Sequence, residues 1–407
     1  MPKIKRSGQD WILDRFVGAL GVNALMPGFM KLMSSPVMGF INSDLERISA
    51  QTSGVASMRR SYIRAAKYRE RIAEEAEANA HLVTARRHYH LASLAYGFAQ
   101  YMIQEDHHPE KRALHDKSQA CYTKVIQYAD APIEKVEIPF DDTPRYDAQS
   151  FPGLLHLPAG SGPWPCAIFL PGTDMYKEQI PNPEDNIFTK RGMACLALDG
   201  PGQGESLLRM LKVRVETWNY ERAVAAAIDY LQTRPEIDSG KIAVMGVSTG
   251  SYWAPRAALW EARHNNRIKA VVGLMAQWDP SFVTEFEYAQ PNFKTNYMYM
   301  AGVEEEPEFD RQAPFHTLDD IAEITAPILV AQGEFDELCT PEVVEKIISK
   351  AKAPHELRIY ENEFHPLGGV AVEAFEGAID WIKDRLDGKP LPNKLTRSFA
   401  HPQFQAG

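Results

Sequence analysis

The segment that most constrains this chain is Lys241 to Gly250, KIAVMGVSTG, a short apolar run of strand type that passes into Gly246-Val247-Ser248-Thr249-Gly250 and then into the helical pattern SYWAPRAALWEA. A G-x-S-x-G turn between a strand and a helix is a nucleophile elbow. Glycine flanks the serine because the turn is too tight for Cβ atoms, and the hydroxyl is left standing above the sheet near a helix N-terminus.

The surrounding sequence supplies the sheet that such an elbow needs. After Ala131-Pro132, short Val, Ile and Leu runs alternate with helical stretches. Expected strands are Lys135 to Ile138, Gly153 to Leu157, Cys166 to Leu170, Ala194 to Leu198, Ile242 to Met245, Ala270 to Leu274, Ile328 to Ala331 and Leu357 to Tyr360. Helices are expected near Asn186 to Arg191, Val215 to Leu231, Tyr252 to Ala262, Glu342 to Lys350 and Val372 to Leu386. That alternation predicts an α/β fold with a mostly parallel, eight-stranded sheet covered on both faces and ligands beyond the carboxyl ends of its strands.

Upstream the pattern differs. From Ser57 to Asp130 glycine and proline are few, and Leu82, Ala85, Tyr89, Ala92, Tyr96 and Ala99 recur at helical spacing. Three helices are expected, without a clean 34-residue repeat, so a helical cap or dimerisation region fits better than a tetratricopeptide array. The division is residues 1–131 helical, 132–390 catalytic with an aromatic insertion at about 279–315, and 391–407 a C-terminal tail. At the start, Lys3, Lys5 and Arg6 precede an uncharged run that superficially resembles a signal peptide. Asp10, Asp14 and Arg15 interrupt the pattern and no small-residue cleavage site follows, so the protein reads as cytoplasmic, with secretion as the alternative.

Charge narrows the function. With 54 acidic and 44 basic side chains the net is −10, which disfavours nucleic acid and anionic membranes as partners. Cys121, Cys166, Cys195 and Cys339 are far apart and read as core thiols rather than a disulfide framework or a zinc cage. Neither metal nor organic cofactor is expected.

A serine nucleophile needs a base and an acid, in this fold in the order Ser, acid, His. The strand ending at Ala331 leads into Gln332-Gly333-Glu334-Phe335-Asp336, and the one ending at Tyr360 into Glu361-Asn362-Glu363-Phe364-His365. Asp336 is the expected acid, with Glu334 as the alternative, and His365 the expected base. The oxyanion donors are expected to be the backbone amides of Thr249 and, from Pro171-Gly172-Thr173-Asp174, Thr173. Asp199 to Ser206, DGPGQGES, lacks the spacing and the lysine of a phosphate cradle and reads as a tight loop beside the active site.

Together the helical N-terminus, DGPGQGES, GTDMYKE at Gly172 to Glu178 and the Ser248, Asp336, His365 order resemble the α/β-hydrolase family of the bacterial 2,6-dihydroxypseudooxynicotine hydrolase and the fungal polyketide-shortening hydrolases of pigment synthesis, related to FrsA-like esterases. The resemblance implies cleavage of a carbon–carbon bond beside a ketone in an aromatic or polyketide-like small molecule. It also implies a cap made of the N-terminal helices and an insertion, and a possible homodimer. Pro171 stands where esterases carry His-Gly-Gly, so the second oxyanion donor is the least defined part of the site. Ester hydrolysis, amide or peptide hydrolysis and a non-enzymatic partner-binding scaffold are the alternatives.

The insertion is rich in Phe282, Phe286, Tyr288, Phe293, Tyr297, Met298, Tyr299 and Met300, which suits a lid or pocket wall, or else ordinary core packing. Trp278, Phe282 and Tyr297 are candidate pocket residues. Asp279, at the carboxyl rim of the strand after the nucleophile, is a candidate for binding a substrate hydroxyl, against the alternative that Asp279-Pro280 starts a turn.

Overall fold

A computed structural model describes residues 2–5, 10–22, 27–141 and 149–391. The expected C-terminal tail falls almost wholly outside the described residues. All eight expected strands form: β1 Ile133–Pro139, β2 Ser150–His156, β3 Trp164–Leu170, β4 Ala194–Leu198, β5 Ile237–Val247, β6 Ile268–Leu274, β7 Ile328–Gly333 and β8 His355–Tyr360. They make one sheet in the order β1-β2-β4-β3-β5-β6-β7-β8. The β1–β2 and β2–β4 pairs are antiparallel, and every pair from β4 to β8 is parallel. The central strands are apolar on both faces because both faces are covered. This is the α/β-hydrolase fold.

Among the described residues six helices precede the sheet: α1 Asp10–Leu20, α2 Pro27–Ser34, α3 Asn42–Ala50, α4 Val55–Ala78, α5 Leu82–Tyr101 and α6 Pro109–Gln127. Helix α5 lies between α4 and α6 and is buried from Tyr89 to Gln100. Its small residues Ala85, Ala92 and Ala99, all inaccessible, let its neighbours approach closely. Polar joints tie these helices to the loops of the sheet. Arg86 reaches Glu184 at 2.9 Å, Asn182 donates to the Pro36 carbonyl at 2.7 Å, and the Tyr176 hydroxyl donates to the Leu94 carbonyl at 2.8 Å. A Cβ at Gly97 would lie 1.9 Å from the Tyr176 hydroxyl oxygen, so glycine there is a condition of the docking. No described helix is long and apolar enough to cross a membrane.

Two expected helices are corrected. The stretch near Asn186 holds only a 3₁₀ turn, Thr189–Arg191, because the Asn186 side chain accepts from the Phe188 and Thr189 amides and competes with a helical ladder. The stretch from Val215 is broken at Trp218, with φ 58°, so that α8, Asn219–Gln232, begins after it and follows the short α7, Gly204–Leu208.

Candidate active site

Strand β5 ends in Val247, and the chain turns through Ser248, with φ 52° and ψ −125°, directly into α9, Thr249–Arg263. A left-handed non-glycine residue at such a place is strained and persists only when its surroundings hold it. Here the Ser248 amide donates to the Leu274 carbonyl at 2.9 Å, and the Ser251 amide donates back to the Ser248 carbonyl at 2.8 Å. A Cβ at position 246 would fall 1.9 Å from the Gly250 carbonyl oxygen, and one at 250 would fall 2.2 Å from that of Leu170. Both glycines are therefore obligatory.

The structure brings the three expected residues into one line. Ser248 Oγ lies 3.0 Å from His365 Nε2, and His365 Nδ1 lies 2.9 Å from Asp336 Oδ2. The other carboxylate oxygen of Asp336 accepts from the Leu338 and Cys339 amides at 2.9 and 3.2 Å, which fixes its orientation. Glu334, the alternative acid, instead accepts from the Asn362 amide at 2.9 Å. Burial pulls the His365 imidazole down, but Asp336, through charge and hydrogen bond, outweighs it with help from Glu337 and Glu285, and the net shift is upward. Such a relay can take a proton from a hydroxyl and hold it as imidazolium.

Beside the serine, the loop after β3 approaches so closely that a Cβ at Gly172 would lie 3.2 Å from Ser248 Cβ. The hydroxyls of Thr173 and Thr249 are hydrogen-bonded to each other, clasping together the two segments whose amides are the expected oxyanion donors. What holds this loop was not evident in the sequence. Gln203, from the GPGQG turn, donates to the carbonyls of Pro171 at 2.7 Å and Gly172 at 3.0 Å, and its own oxygen accepts from the Tyr220 hydroxyl at 2.6 Å. Asn296 donates to the Thr173 carbonyl at 3.0 Å. The DGPGQGES loop is therefore a support for the loop after β3. Gln203→Ala is expected to lower kcat about 100-fold by releasing that loop, while Tyr220→Phe, which keeps the glutamine, costs far less. Steady-state kinetics on an activated ester checks the order; equal losses would dissociate Gln203 from the site.

A cavity of about 420 Å³ opens onto Ser248 and His365. Its walls come from α2 (Phe29, Leu32), the loop after β3 (Thr173, Asp174, Met175), the insertion (Gln290, Phe293) and the histidine loop (Phe364, Pro366). The candidate pocket residues Trp278, Phe282 and Tyr297 do not line it. Phe282 and Tyr297 are buried with Phe286, Phe309 and His316 in an aromatic core, the Tyr297 hydroxyl 2.6 Å from His316 Nε2. Trp278 donates its indole N–H to the Ser251 carbonyl at 2.9 Å. Large aromatic side chains pack together wherever apolar surface must be covered, and here they fix the insertion rather than meet a ligand. Asp279 is likewise absent from the cavity wall: its carboxylate accepts from the Thr284 amide at 2.7 Å and starts a turn.

Two buried carboxyls near the relay went unnoticed in the sequence. Asp174 lines the cavity, and burial pushes its carboxyl up against the opposing pull of its own backbone and of His365. Glu285 is inaccessible to solvent, and burial pushes it to about 8. Elsewhere, the acidic trio Glu287, Glu306 and Asp310 converges as metal ligands do, but the Lys294 ammonium sits among them at 2.7, 2.8 and 2.9 Å.

Comparison with known proteins agrees with this fold. The family model described as the prolyl oligopeptidase family matches residues 182–389. The 2,6-dihydropseudooxynicotine hydrolase of Paenarthrobacter nicotinovorans is 26% identical over 320 residues, covering 78% of this chain and 81% of that protein. The alpha/beta hydrolase xenA of Xenoacremonium sinensis is 32% identical over 225 residues, 52% of this chain and 48% of xenA. The chain thus spans about half the length of the fungal relatives it matches. A crystal structure of the 2,6-dihydroxy-pseudo-oxynicotine hydrolase superposes with a TM-score of 0.74 at 22% identity, covering 90% of this chain and 99% of that one. The likeness to α/β-hydrolases read from Ser248, DGPGQGES and the helical N-terminus is thereby met, and the chain belongs to the prolyl oligopeptidase family.

Proposed function

We propose that the protein is a serine hydrolase that cleaves the carbon–carbon bond beside a ketone in a small aromatic or polyketide-like substrate. The observation that carries this reading is the continuous relay from Ser248 through His365 to Asp336 at the floor of a walled, largely apolar cavity. Ser248 attacks the carbonyl as His365 takes its proton, and Asp336 stabilises the imidazolium. The amides of Thr173 and Thr249 receive the oxyanion. The departing carbon must leave as a stabilised enolate or phenol-like carbanion, since an unstabilised one is too basic to expel. His365 protonates the leaving group, and water then releases the acid from the acyl-enzyme. Similarity to a hydrolase named for 2,6-dihydropseudooxynicotine over most of both chains favours a small ketone over a peptide.

The test is a panel of 1,3-diketones and matched esters, with products identified by mass spectrometry. Conversion of a diketone to an acid and a ketone, with turnover above that of the matched ester, is the expected result. Turnover of esters alone would replace this reading with that of a carboxylesterase.

A further inference from the structure

The two loops that carry the acid and the base each present a phenylalanine to solvent immediately before the catalytic residue. Phe335 precedes Asp336 and is 50% exposed, and Phe364 precedes His365 and is 55% exposed. Their ring centroids lie 5.6 Å apart with the planes tilted by 40°, so the two side chains make one aromatic ledge. Holding the loops together does not require it. The Phe335 amide donates to the Glu363 carbonyl, the Glu334 amide to the Tyr360 carbonyl, and the Asn362 amide to the Glu334 carboxylate, each at 2.9 Å. These bonds fasten one loop to the other whatever side chain stands at 335. Apolar surface left in water beside an active site marks a place where something apolar is received.

The ledge is continuous with the cavity. Phe364 lines the cavity together with Phe29 and Phe293, whereas Phe335, packed against Phe364, does not line it. At about 420 Å³ the cavity is near the lower end of the range for small-molecule sites, about 300–1,000 Å³. An apolar group too long for it meets the ledge where it emerges. Two rings are far too small an area for a protein partner, whose interface takes about 800 Å² from each side. An anionic membrane surface fits no better. Glu334, Glu337, Glu361 and Glu363 stand within three residues of one ring or the other, and among the described residues Lys31 is the one lysine or arginine that lines the cavity.

We propose that Phe335 and Phe364 form a substrate subsite, which receives an uncharged apolar tail projecting from the cavity while the scissile carbonyl sits at Ser248. The inference deepens the reading given above and rests on it only for Ser248 as the nucleophile. It defines the preferred substrates as molecules with an apolar arm longer than the cavity. A tail lying on the ledge touches it equally in the ground state and in the transition state, so the contact acts through KM rather than kcat. A short substrate never reaches it.

The experiment measures kcat and KM for 4-nitrophenyl esters of straight-chain acids from two carbons to twelve, and for acetate esters of alcohols of the same lengths. Wild type, Phe335→Ser and Phe335→Trp are compared, with thermal melting of each to establish folding. Phe335→Ser is expected to lower kcat/KM on the longest tails of at least one series about tenfold, the scale of two methylene groups returned to water, through a rise in KM. The two-carbon esters should change less than about twofold. Phe335→Trp, which widens the ledge, should raise the preference for long over short tails at least about twofold, and it decides the matter if Phe335→Ser does not fold. A loss in Phe335→Ser that is equal at every length overturns the inference and makes Phe335 a support for Asp336. A wild-type profile that does not rise with length in either series, or an unchanged preference in Phe335→Trp, overturns it too. So does binding of the wild type to vesicles of phosphatidylcholine, with or without phosphatidylglycerol, or a change of mass in light scattering, if either is specific to Phe335: the ledge would then belong to a lipid surface or to a second copy of the chain. If no ester is hydrolysed, 1,3-diketones bearing the same tails replace them, with the same outcomes. Length-dependent ester turnover without cleavage of any diketone removes the carbon–carbon reading and leaves this inference standing, whereas turnover of neither class removes both.

Discussion

Ser248→Ala is expected to lower kcat by about 10⁴- to 10⁶-fold, the scale on which a nucleophile that works as one unit with its base is lost. Stability should barely move. The hydroxyl makes one side-chain hydrogen bond, to His365 at 3.0 Å, whereas the unusual backbone at this position is held by main-chain bonds that alanine also makes. Removal of one such partly buried bond costs about 1 kcal/mol. Turnover with a purified variant, its melting temperature, and the mass of the protein after treatment with a fluorophosphonate make the check. The wild type should gain one adduct at Ser248 and the variant none. A folded variant retaining more than a hundredth of wild-type turnover would remove Ser248 from the chemistry.

The second large effect is on stability and comes from Lys177, in the loop after β3. Its ammonium is buried between three carboxylates, Glu178 and Asp199 each at 2.9 Å and Glu205 at 3.1 Å. Burial alone would lower this lysine, but the three acids outweigh it, with Asp199 the strongest, and hold it charged. Asp199 also accepts from the backbone amides of Lys177 and Glu205, and Gln119 of α6 reaches Glu178, so this cluster joins α6 to two loops of the sheet. Lys177→Met keeps the length of the side chain and strands the buried acids Glu178 and Asp199, while the partly exposed Glu205 keeps Arg209. Breaking a buried charge cluster in this way costs about 3–5 kcal/mol.

The pH dependence of that cost has a definite sign. In the wild type, burial of Glu205 opposes ionisation, but Lys177 and Arg209 hold it down to about 2, so its contribution is present above its ordinary value of 4.5 and is lost as pH falls toward 2. In the variant Asp199, which burial already pushes up against the pull of Lys177, rises further. The folded form then binds more protons than the unfolded one, and stability should improve as pH falls from 7 to 5.5. Urea denaturation at the two pH values checks both points. A variant as stable as the wild type at pH 7, or less stable at 5.5 than at 7, would show that the cluster does not carry this energy.

How much of this was open to reading depended on whether the signal was local. The strands were legible because a strand covered on both faces must be apolar along its length, and Cys166 to Leu170 or Ile328 to Ala331 have no other use in a water-soluble arrangement. The triad was legible because tight turns at strand ends demand particular residues. Strand β5 begins at Ile237 rather than Ile242, since Ile237 pairs with Trp164 across a bulge that leaves no mark in composition.

Packing against distant residues was not legible. Helix α2 showed only as an uncharged run, yet Phe29 and Leu32 wall the cavity against residues from the far end of the chain. Trp278, Phe282 and Tyr297 have the composition of a pocket and the positions of a core, and the deciding partner, His316, stands outside the aromatic run that suggested a pocket. Glu285 leaves no mark in the sequence, because what sets it apart is burial, with its Oε2 lacking a hydrogen-bond partner among the described residues.

Gly28 and Gly368 carry a lesson for recognising other chains built this way. A Cβ on Gly368 would come within 1.9 Å of the Gly28 carbonyl oxygen, and one on Gly28 within 3.3 Å of Pro366. Helix α2 therefore rests backbone to backbone on the loop that delivers His365. Ser248, Asp336 and His365 alone describe a vast number of hydrolases and say nothing of what lies above them. A glycine three residues past the histidine marks the subset in which that helix can settle so closely, because the 1.9 Å approach is that of a Cβ at Gly368. Genomic surveys that demand that glycine together with a helix near the amino terminus should separate roofed chains from open ones without any description of their cavities.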